Sequence, residues 1–328
     1  MHESTRREFL RNSLAALAAA PCAASVLATQ QDSPNGVPTR LLGRTGERVS
    51  IVGLGGYHIG GPEEREAVAI MHEAIEEGLR FFDNSWDYRN GASEEVMGKA
   101  LAASGKRAKV FLMTKVCARD YEGARQQLDD SLRRLRTDMI DLWQFHEINW
   151  DVDPDWVFDR GGLKFALEAQ QAGKVRFIGF TGHKDPAHHL KMLGKPFDWY
   201  TAQMPINVLD AHYRSFQQRV VPECVRKQVG VIGMKALAGG KLPSDLQIPA
   251  ELCRRFALSL PISTLVCGIT SRKDLQQDLA VARGFQPLSA DDMTAALNQS
   301  QPSSAEGKYE IYKTTRYGSD FHFKQHGE

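Results

Sequence analysis

Residues 110–146 read VFLMTKVCARDYEGARQQLDDSLRRLRTDMIDLWQFH, and this stretch decides the fold. It begins with a short apolar run at 110–113, continues with an amphipathic segment at 121–135, and returns to an apolar run at 140–143. Short continuous apolar runs on either side of one amphipathic helix are typical of parallel strands that are buried on both faces. The stretch therefore predicts one strand–helix–strand unit of a parallel sheet.

The same strand–helix pattern recurs along the whole chain. The predicted strands are 51–54, 81–82, 110–113, 140–143, 175–180, 199–202, 231–234 and 264–267. The predicted helices that follow them are 63–77, 93–103, 121–135, 157–172, 187–193, 215–227, 250–259 and 272–282. Eight strand–helix units over about 250 residues are the size of a closed (β/α)8 TIM barrel, which is the predicted fold.

Two features at the start of this pattern refine the fold. Residues 39–42 and 49–52 flank a turn at 43–46, which predicts an N-terminal β-hairpin. A doubly wound open sheet is the competing architecture, and it requires a Gly-x-Gly-x-x-Gly motif that opens a helix directly after the first strand. Residues 53–61 are rich in glycine, but Pro62 separates them from the first helix. We interpret them as a loop in which the backbone approaches a ligand.

The N-terminal segment differs in composition from the rest of the chain. Thr5-Arg6-Arg7-Glu8-Phe9-Leu10-Arg11 is a twin-arginine signature, and an Ala-rich run follows it. That run is too short and too rich in alanine to span a bilayer comfortably. We interpret 1–28 as a twin-arginine signal peptide, 29–38 as a linker and 39–328 as the barrel with a C-terminal tail. The protein is then exported to the periplasm by the twin-arginine translocase; an ordinary helix with two chance arginines is the alternative.

Composition excludes several classes of function. The formal net charge is +1 and no basic cluster with interleaved aromatic residues occurs, which argues against binding to nucleic acid. The four cysteines after the leader have neither CxxC nor CxxxC spacing, so we predict no metal site. We expect these thiols to be reduced and buried, with oxidative pairing as the alternative. They are Cys117, Cys224, Cys253 and Cys267.

Four polar residues stand where a barrel of this kind places its active site, at the carboxyl ends of the strands. Asp83, Lys115 and His146 follow the second, third and fourth predicted strands, and Tyr88 lies in the loop after Asp83. An ammonium beside a phenol lowers the phenol's pKa from about 10 and makes it a usable acid. We therefore predict Tyr88 as the general acid, Lys115 and Asp83 as its support, and His146 as a group that either orients a carbonyl oxygen or shares in proton delivery. No side chain can supply hydride, so a nicotinamide is required.

These residues lie in recognisable motifs. Residues 82–88, FDNSWDY, and 93–101, SEEVMGKAL, resemble the signature of the aldo-keto reductase superfamily, and Thr114-Lys115 and 141–146, DLWQFH, resemble its other catalytic segments. The resemblance extends from Thr39 to about Leu288 and includes all four members of the family's tetrad. It implies the barrel, NADPH as the usual hydride donor with NADH as the alternative, and reduction of a carbonyl or the reverse oxidation of an alcohol.

The resemblance also implies the cofactor contacts. Gln203 matches the glutamine that binds the nicotinamide carboxamide, Thr181 replaces part of the family's Ser-Asn pair, and Met234 stands where an aromatic residue usually stacks on nicotinamide. The implied contacts to the phosphates and adenosine, after the eighth strand, are Gly268, Thr270, Ser271, Arg272, Gln277 and Asp278.

Other residues near the four predicted catalytic residues are given structural rather than catalytic roles. Asp87 is expected to cap or solvate its loop, and His58 and His183 are expected at the surface. The tail after Leu288 either covers the substrate-binding mouth of the barrel or has only a packing role.

The sequence leaves the substrate undecided, since a small sugar and an aromatic carbonyl suit the aromatic loops equally. Two rival functions are a nicotinamide-binding redox sensor or scaffold with little turnover, and an oxidoreductase that recycles a trapped cofactor between two sugars.

Overall fold

Parallel strands close into a barrel in the computed structural model, which describes residues 26, 30–31 and 36–314. A hairpin of two strands, β1 (Thr39–Leu41) and β2 (Arg48–Ser50), precedes the barrel. The barrel strands are β3 (Val52–Gly55), β4 (Phe81–Asp83), β5 (Phe111–Val116), β6 (Ile140–Phe145), β7 (Val175–Thr181), β8 (Thr201–Pro205), β9 (Gly230–Met234) and β10 (Thr264–Cys267). Each strand pairs in parallel with the next, and β10 pairs with β3 to close the barrel. The predicted (β/α)8 fold with its N-terminal hairpin is confirmed.

Helices follow the strands and cover the outside of the barrel. The first ones are α1 (Gly56–Ile59), α2 (Glu64–Glu76), α3 (Ala92–Leu101), α4 (Tyr121–Leu135), α5 (Asp153–Asp159), α6 (Gly162–Gln171) and α7 (Pro186–Gly194). The later ones are α8 (Phe216–Arg219), α9 (Val221–Arg226), α10 (Lys241–Asp245), α11 (Ala250–Ser259), α12 (Arg272–Arg283) and α13 (Ala290–Ser300). In the described part of the chain, no helix is long and apolar enough to cross a membrane.

Most predicted elements agree with these bounds, and the exceptions have local causes. The helix predicted at 157–172 is two helices, because Gly161 adopts a φ of 91° that breaks α5 from α6. The helix predicted at 215–227 is divided into α8 and α9 next to Pro222, which lies in the first turn of α9. The glycine-rich segment after β3 contains the one-turn helix α1, which we expected to be loop. Helix α13 in the tail was not predicted.

The hairpin closes the end of the barrel where the strands begin. Leu42 and Val49 from the hairpin form one apolar cluster with Phe81 and Phe111, which open β4 and β5, and with other barrel residues. The backbone N–H of Arg44 donates to the carbonyl of Gln228, just before β9. With one end sealed by apolar contacts, the opposite end of the barrel is left for a site.

Three predictions reach beyond the described residues. The signal peptide at 1–28 lies outside them except for Val26, and so do residues 29 and 32–35 of the linker at 29–38 and the tail after Thr314. Within the linker, Gln31 exchanges backbone hydrogen bonds with Thr39 and extends the hairpin by one bridge. The described cysteines are all buried and free.

Candidate active site

A buried ion pair lies where β4 and β5 end. Asp83 closes β4, and Lys115 is the next-to-last residue of the neighbouring strand β5. The Lys115 ammonium donates to the Asp83 carboxylate and also to the carbonyl oxygen of Asn84 at 2.7 Å. Only 1% of the Lys115 side chain and 3% of the Asp83 side chain are exposed. The pairing of adjacent parallel strands therefore brings the two charges together out of water.

Tyr88 lies directly over this pair. Its hydroxyl oxygen accepts a hydrogen bond from the Lys115 ammonium at 3.3 Å, and its ring contacts that of His146 edge-on at 5.6 Å. The turn that carries Tyr88 is sharp, because Arg89 and Asn90 both adopt left-handed backbone conformations. Asp83, Tyr88, Lys115 and His146 thus form one cluster, and their catalytic roles stay predictions.

His146 is held in place by hydrogen bonds at its Nδ1 atom. Its Nδ1 lies 3.1 Å from the Asp87 carboxylate and 3.0 Å from the Ser85 hydroxyl. Burial alone would raise the pKa of Asp87, but the charge and hydrogen bond of His146 and the Ser85 hydroxyl lower it to about 2. Asp87 is therefore not the solvated loop residue that we expected, because the turn folds its carboxylate inward onto the imidazole.

A cavity of about 950 Å³ opens above the cluster. Tyr88 and His146 lie in one wall, and Met234 and Gly268 lie across from them on β9 and beyond β10. The exposed Tyr57 stands at the rim with its ring edge-on to Tyr88 at 5.5 Å. The cluster is therefore accessible to a small molecule.

Three ionisable residues in and behind the cavity wall were missed or misplaced by the sequence analysis. Glu147 lines the cavity with a φ of 50° and accepts a hydrogen bond from His183 at 2.8 Å. We expected His183 at the surface, but it is 2% exposed, and burial lowers its pKa despite the Glu147 charge. Lys235 also lines the cavity, and its removal from water lowers its pKa. Nothing in strand or helix periodicity marks these residues, since they lie in loops.

The nicotinamide end of a cofactor fits this cavity. Gln203, on β8, donates from Nε2 to the Asp83 carboxylate at 2.9 Å, whereas its buried Oε1 has no partner in the described part of the chain. An amide group of a ligand can satisfy that oxygen. Met234 is half-buried in the wall and offers a thioether to an aromatic ring. A Cβ at Gly56 would lie 2.5 Å from the carbonyl oxygen of Asp83, so only glycine lets the backbone approach here.

The predicted phosphate end is more crowded. Ser271 caps α12 by accepting from the N–H of Asp274, and the Asp274 carboxylate accepts from both the N–H and the hydroxyl of Thr270. The exposed guanidinium of Arg272 forms ion pairs with Glu66 and with Glu73 on α2, each at 3.3 Å. An incoming phosphate must therefore compete with carboxylates for the same donors.

The remaining predicted contacts are placed differently. Gln277 is exposed on α12, one residue before Asp278. Asp278 is fully buried in an ion pair with Arg254 of α11, so its side chain does not present itself to an adenine, contrary to our expectation. Burial raises the pKa of Asp278 to about 6 against the opposing effect of Arg254. Thr181 ends β7, buried beside Gln203 rather than in the cavity wall.

We predict that Asp83→Asn lowers the free energy of unfolding by about 3–5 kcal/mol, because it leaves the buried Lys115 ammonium without its counter-charge. Urea unfolding followed by circular dichroism measures this loss. The matched control is Glu64→Gln, which breaks an exposed pair with Lys99 and should cost less than about 1 kcal/mol. Equal losses in the two variants would contradict the importance of the buried pair.

Known proteins share this sequence and architecture. The model of the aldo/keto reductase family matches residues 51–248. L-galactose dehydrogenase of Arabidopsis thaliana is 32% identical over 307 residues, which cover 79% of this chain and 92% of that protein. An aldo-keto reductase of Alternaria alternata is 30% identical over 245 residues, which cover 61% of this chain and 65% of that protein.

A solved structure has the same barrel. The holo form of an aldo-keto reductase from Bacillus halodurans superposes with a TM-score of 0.71 at 24% identity, covering 83% of this chain and 99% of that one. At this identity the likeness shows the fold, and the sequence matches above show the family. This chain is a member of the aldo/keto reductase family and thus an NAD(P)-dependent oxidoreductase.

Proposed function

We propose that this protein reduces an aldehyde or ketone with NADPH, or oxidises the corresponding alcohol, with Tyr88 as general acid. The observation that carries the proposal is the Tyr88 hydroxyl, which lies 3.3 Å from the buried Lys115 ammonium at the floor of an open cavity. A bound nicotinamide supplies the hydride. Every other step falls to side chains of this chain.

The proton in this reaction comes from Tyr88. When the carbonyl oxygen gains charge, Tyr88 donates its proton, and the Lys115 ammonium stabilises the phenolate that remains. Asp83 keeps Lys115 charged and in place through their ion pair. His146 orients the carbonyl oxygen from Nε2, because its Nδ1 is held by Asp87 and Ser85.

A hydroxylated substrate such as a small sugar suits the charged part of the cavity wall best. Glu147 offers carboxylate oxygens that accept hydrogen bonds from hydroxyl groups, and Lys235 offers an ammonium that donates to them. Glu147 already accepts hydrogen bonds from His183 and Asn149, whereas the Lys235 ammonium is costly in a cavity unless polar groups solvate it, which disfavours a purely aromatic occupant. The similarity to L-galactose dehydrogenase supports the same class of substrate.

We predict that Tyr88→Phe lowers kcat at least about 100-fold, because general acid catalysis of this kind contributes about 10²–10⁴. Cofactor binding, followed by quenching of protein fluorescence, should stay nearly unchanged. Turnover is measured on a panel of sugars and aromatic aldehydes. Tyr57→Phe is the matched control, since Tyr57 touches the Tyr88 ring at the rim but does not contact Lys115 in the structure as described.

Three outcomes of this experiment separate the candidate functions. Turnover that survives in Tyr88→Phe contradicts the mechanism. A wild-type protein that retains nicotinamide but turns over no member of the panel is a redox sensor or scaffold instead. Turnover of a pair of sugars without added cofactor indicates an enzyme that recycles a trapped nicotinamide.

The choice of NADPH over NADH rests on Arg272. It is an exposed guanidinium at the start of α12, and guanidinium groups bind phosphate through paired N–H donors. Glu66 and Glu73 hold it at the mouth of the proposed phosphate pocket while competing with the 2′-phosphate for the same donors. We therefore propose a preference for NADPH that is moderate in size.

We predict that Arg272→Ala raises the KM for NADPH roughly tenfold, which corresponds to the loss of one charge-assisted hydrogen bond of about 1.5 kcal/mol. The KM for NADH should not change, because NADH lacks the 2′-phosphate. Arg283→Ala, at the other end of the same helix, removes an equally charged group paired with Glu77 and serves as control. A parallel rise for both cofactors would show that Arg272 does not select the phosphate.

We propose that the protein is exported folded, through the twin-arginine route. Arg6 and Arg7, followed by Phe9-Leu10 and an alanine-rich run, support this proposal. A route that carries folded protein allows a nicotinamide bound in the cytoplasm to leave with the enzyme. The cofactor then has to stay bound, because free nicotinamide is scarce outside the cytoplasm.

We predict that changing both Arg6 and Arg7 to Lys retains the protein in the cytoplasm of an expressing bacterium, because the translocase reads the arginine pair. Cell fractionation and immunoblotting measure the distribution. Arg11→Lys removes a nearby arginine outside the pair and should leave export intact. Unchanged export of the double variant would disprove a twin-arginine signal.

A further inference from the structure

Three side chains of different chemistry meet on the Nδ1 side of the His146 imidazole, which is one of the three. They are the carboxylate of Asp87, the thiol of Cys117 and the imidazole Nδ1 of His146, and one donor atom from each lies within 4.8 Å of the others. They come from three separate segments, after β4, after β5 and after β6, so no spacing in the sequence announces them. No second group of three such donors occurs among the described residues.

The distances between these donors are close to those in a zinc site. Bond lengths of about 2.0–2.1 Å to nitrogen or oxygen and about 2.3 Å to sulfur place tetrahedral ligands about 3.3–3.6 Å apart. In the structure, Cys117 Sγ lies 3.8 Å from His146 Nδ1, and Asp87 Oδ1 lies 3.1 Å from the same nitrogen. Both of these distances are within about 0.3 Å of the tetrahedral values, and the Asp87 oxygen and the Cys117 sulfur lie within 4.8 Å of each other. The Ser85 hydroxyl, 3.0 Å from Nδ1, marks the position of a fourth ligand or water.

We propose that Asp87, Cys117 and His146 form a binding site for a thiophilic divalent cation such as Zn²⁺, which shares His146 with the catalytic cluster but binds its Nδ1 rather than the Nε2 that faces the cavity. Carboxylate, thiolate and neutral imidazole carry two negative charges together, which balance one dication in a buried place. On binding, a sulfur–metal bond replaces the S–H bond of Cys117 and the thiol proton leaves to solvent, while His146 binds through a deprotonated Nδ1 and carries its one remaining proton on Nε2. The neighbouring Arg119 guanidinium, which donates to the Cys117 carbonyl at 2.9 Å, is itself paired with Asp153.

The site has an entrance and a consequence for the neighbouring cluster. Asp87 lines the cavity, so a cation can reach the buried thiol past its carboxylate. Asp87 directly precedes Tyr88, and a cation at Nδ1 displaces the hydrogen bonds that orient His146. Occupation of the site therefore inhibits turnover in a way that a chelator reverses.

Cobalt(II) tests the site without any need for turnover, because a thiolate ligand gives Co²⁺ a charge-transfer absorption in the near ultraviolet. Titration of the purified full chain should show one Co²⁺ per chain with this absorption, and Zn²⁺ should displace it. Cys117→Ser should lose the absorption and bind Co²⁺ at least about tenfold more weakly, and Asp87→Asn should weaken binding by a similar factor. Cys224→Ala removes another buried thiol that belongs to no such group and should behave as wild type.

The outcomes are decisive in both directions. A wild-type protein without the thiolate absorption, or a Cys117→Ser variant that keeps it, overturns the proposal. Thermal unfolding confirms that Cys117→Ser is folded, and the Asp87→Asn titration decides the matter if it is not. In assays, Zn²⁺ should inhibit the wild type and spare Cys117→Ser. An enzyme that binds Co²⁺ as expected but shows no turnover at all contradicts only the proposed function.

Discussion

The buried pair of Lys115 and Asp83 is the interaction on which the rest of the site depends. An ammonium at 1% exposure is tolerated only because a carboxylate and a carbonyl oxygen take the place of water around it. The same ammonium reaches the Tyr88 hydroxyl, and the second oxygen of Asp83 holds Gln203. One ion pair thus positions the proposed proton donor on one side and the proposed cofactor amide contact on the other.

A second buried network holds the loop that carries Tyr88. Glu94 on α3 accepts a hydrogen bond from Thr114 of β5 at 2.6 Å and lies 3.3 Å from Arg134 of α4. Arg134 in turn donates to the backbone carbonyl of Trp86 at 2.9 Å, two residues before Tyr88. Burial raises the pKa of Glu94, with the hydrogen bonds and Arg134 acting against it. Helices α3 and α4, on the outside of the barrel, therefore help to fix the loop that places Tyr88 in the cavity.

The two ends of the proposed cofactor site differ in their readiness to bind. At the nicotinamide end, Gln203 presents a buried oxygen without a partner in the described chain, and Met234 offers a soft apolar surface. At the phosphate end, Asp274 already occupies the donors of Thr270, and Arg272 is paired with glutamates. Such a division suits a protein whose ring-binding end is preformed and whose specificity for the phosphate is modest.

Local patterns determined most of the fold and the central cluster. Apolar runs and amphipathic helices report burial on a scale of a few residues, and residues at the ends of successive strands must meet in a closed barrel, so Asp83, Lys115 and His146 were predictable. Only the tertiary structure decided what surrounds them. The inward turn of Asp87, the burial of His183 against Glu147 and the approach of Cys117 to His146 depend on loop conformations and on contacts between distant segments. Hydrophobic periodicity carries no information about either, because loops obey local backbone sterics and the packing of the elements they join.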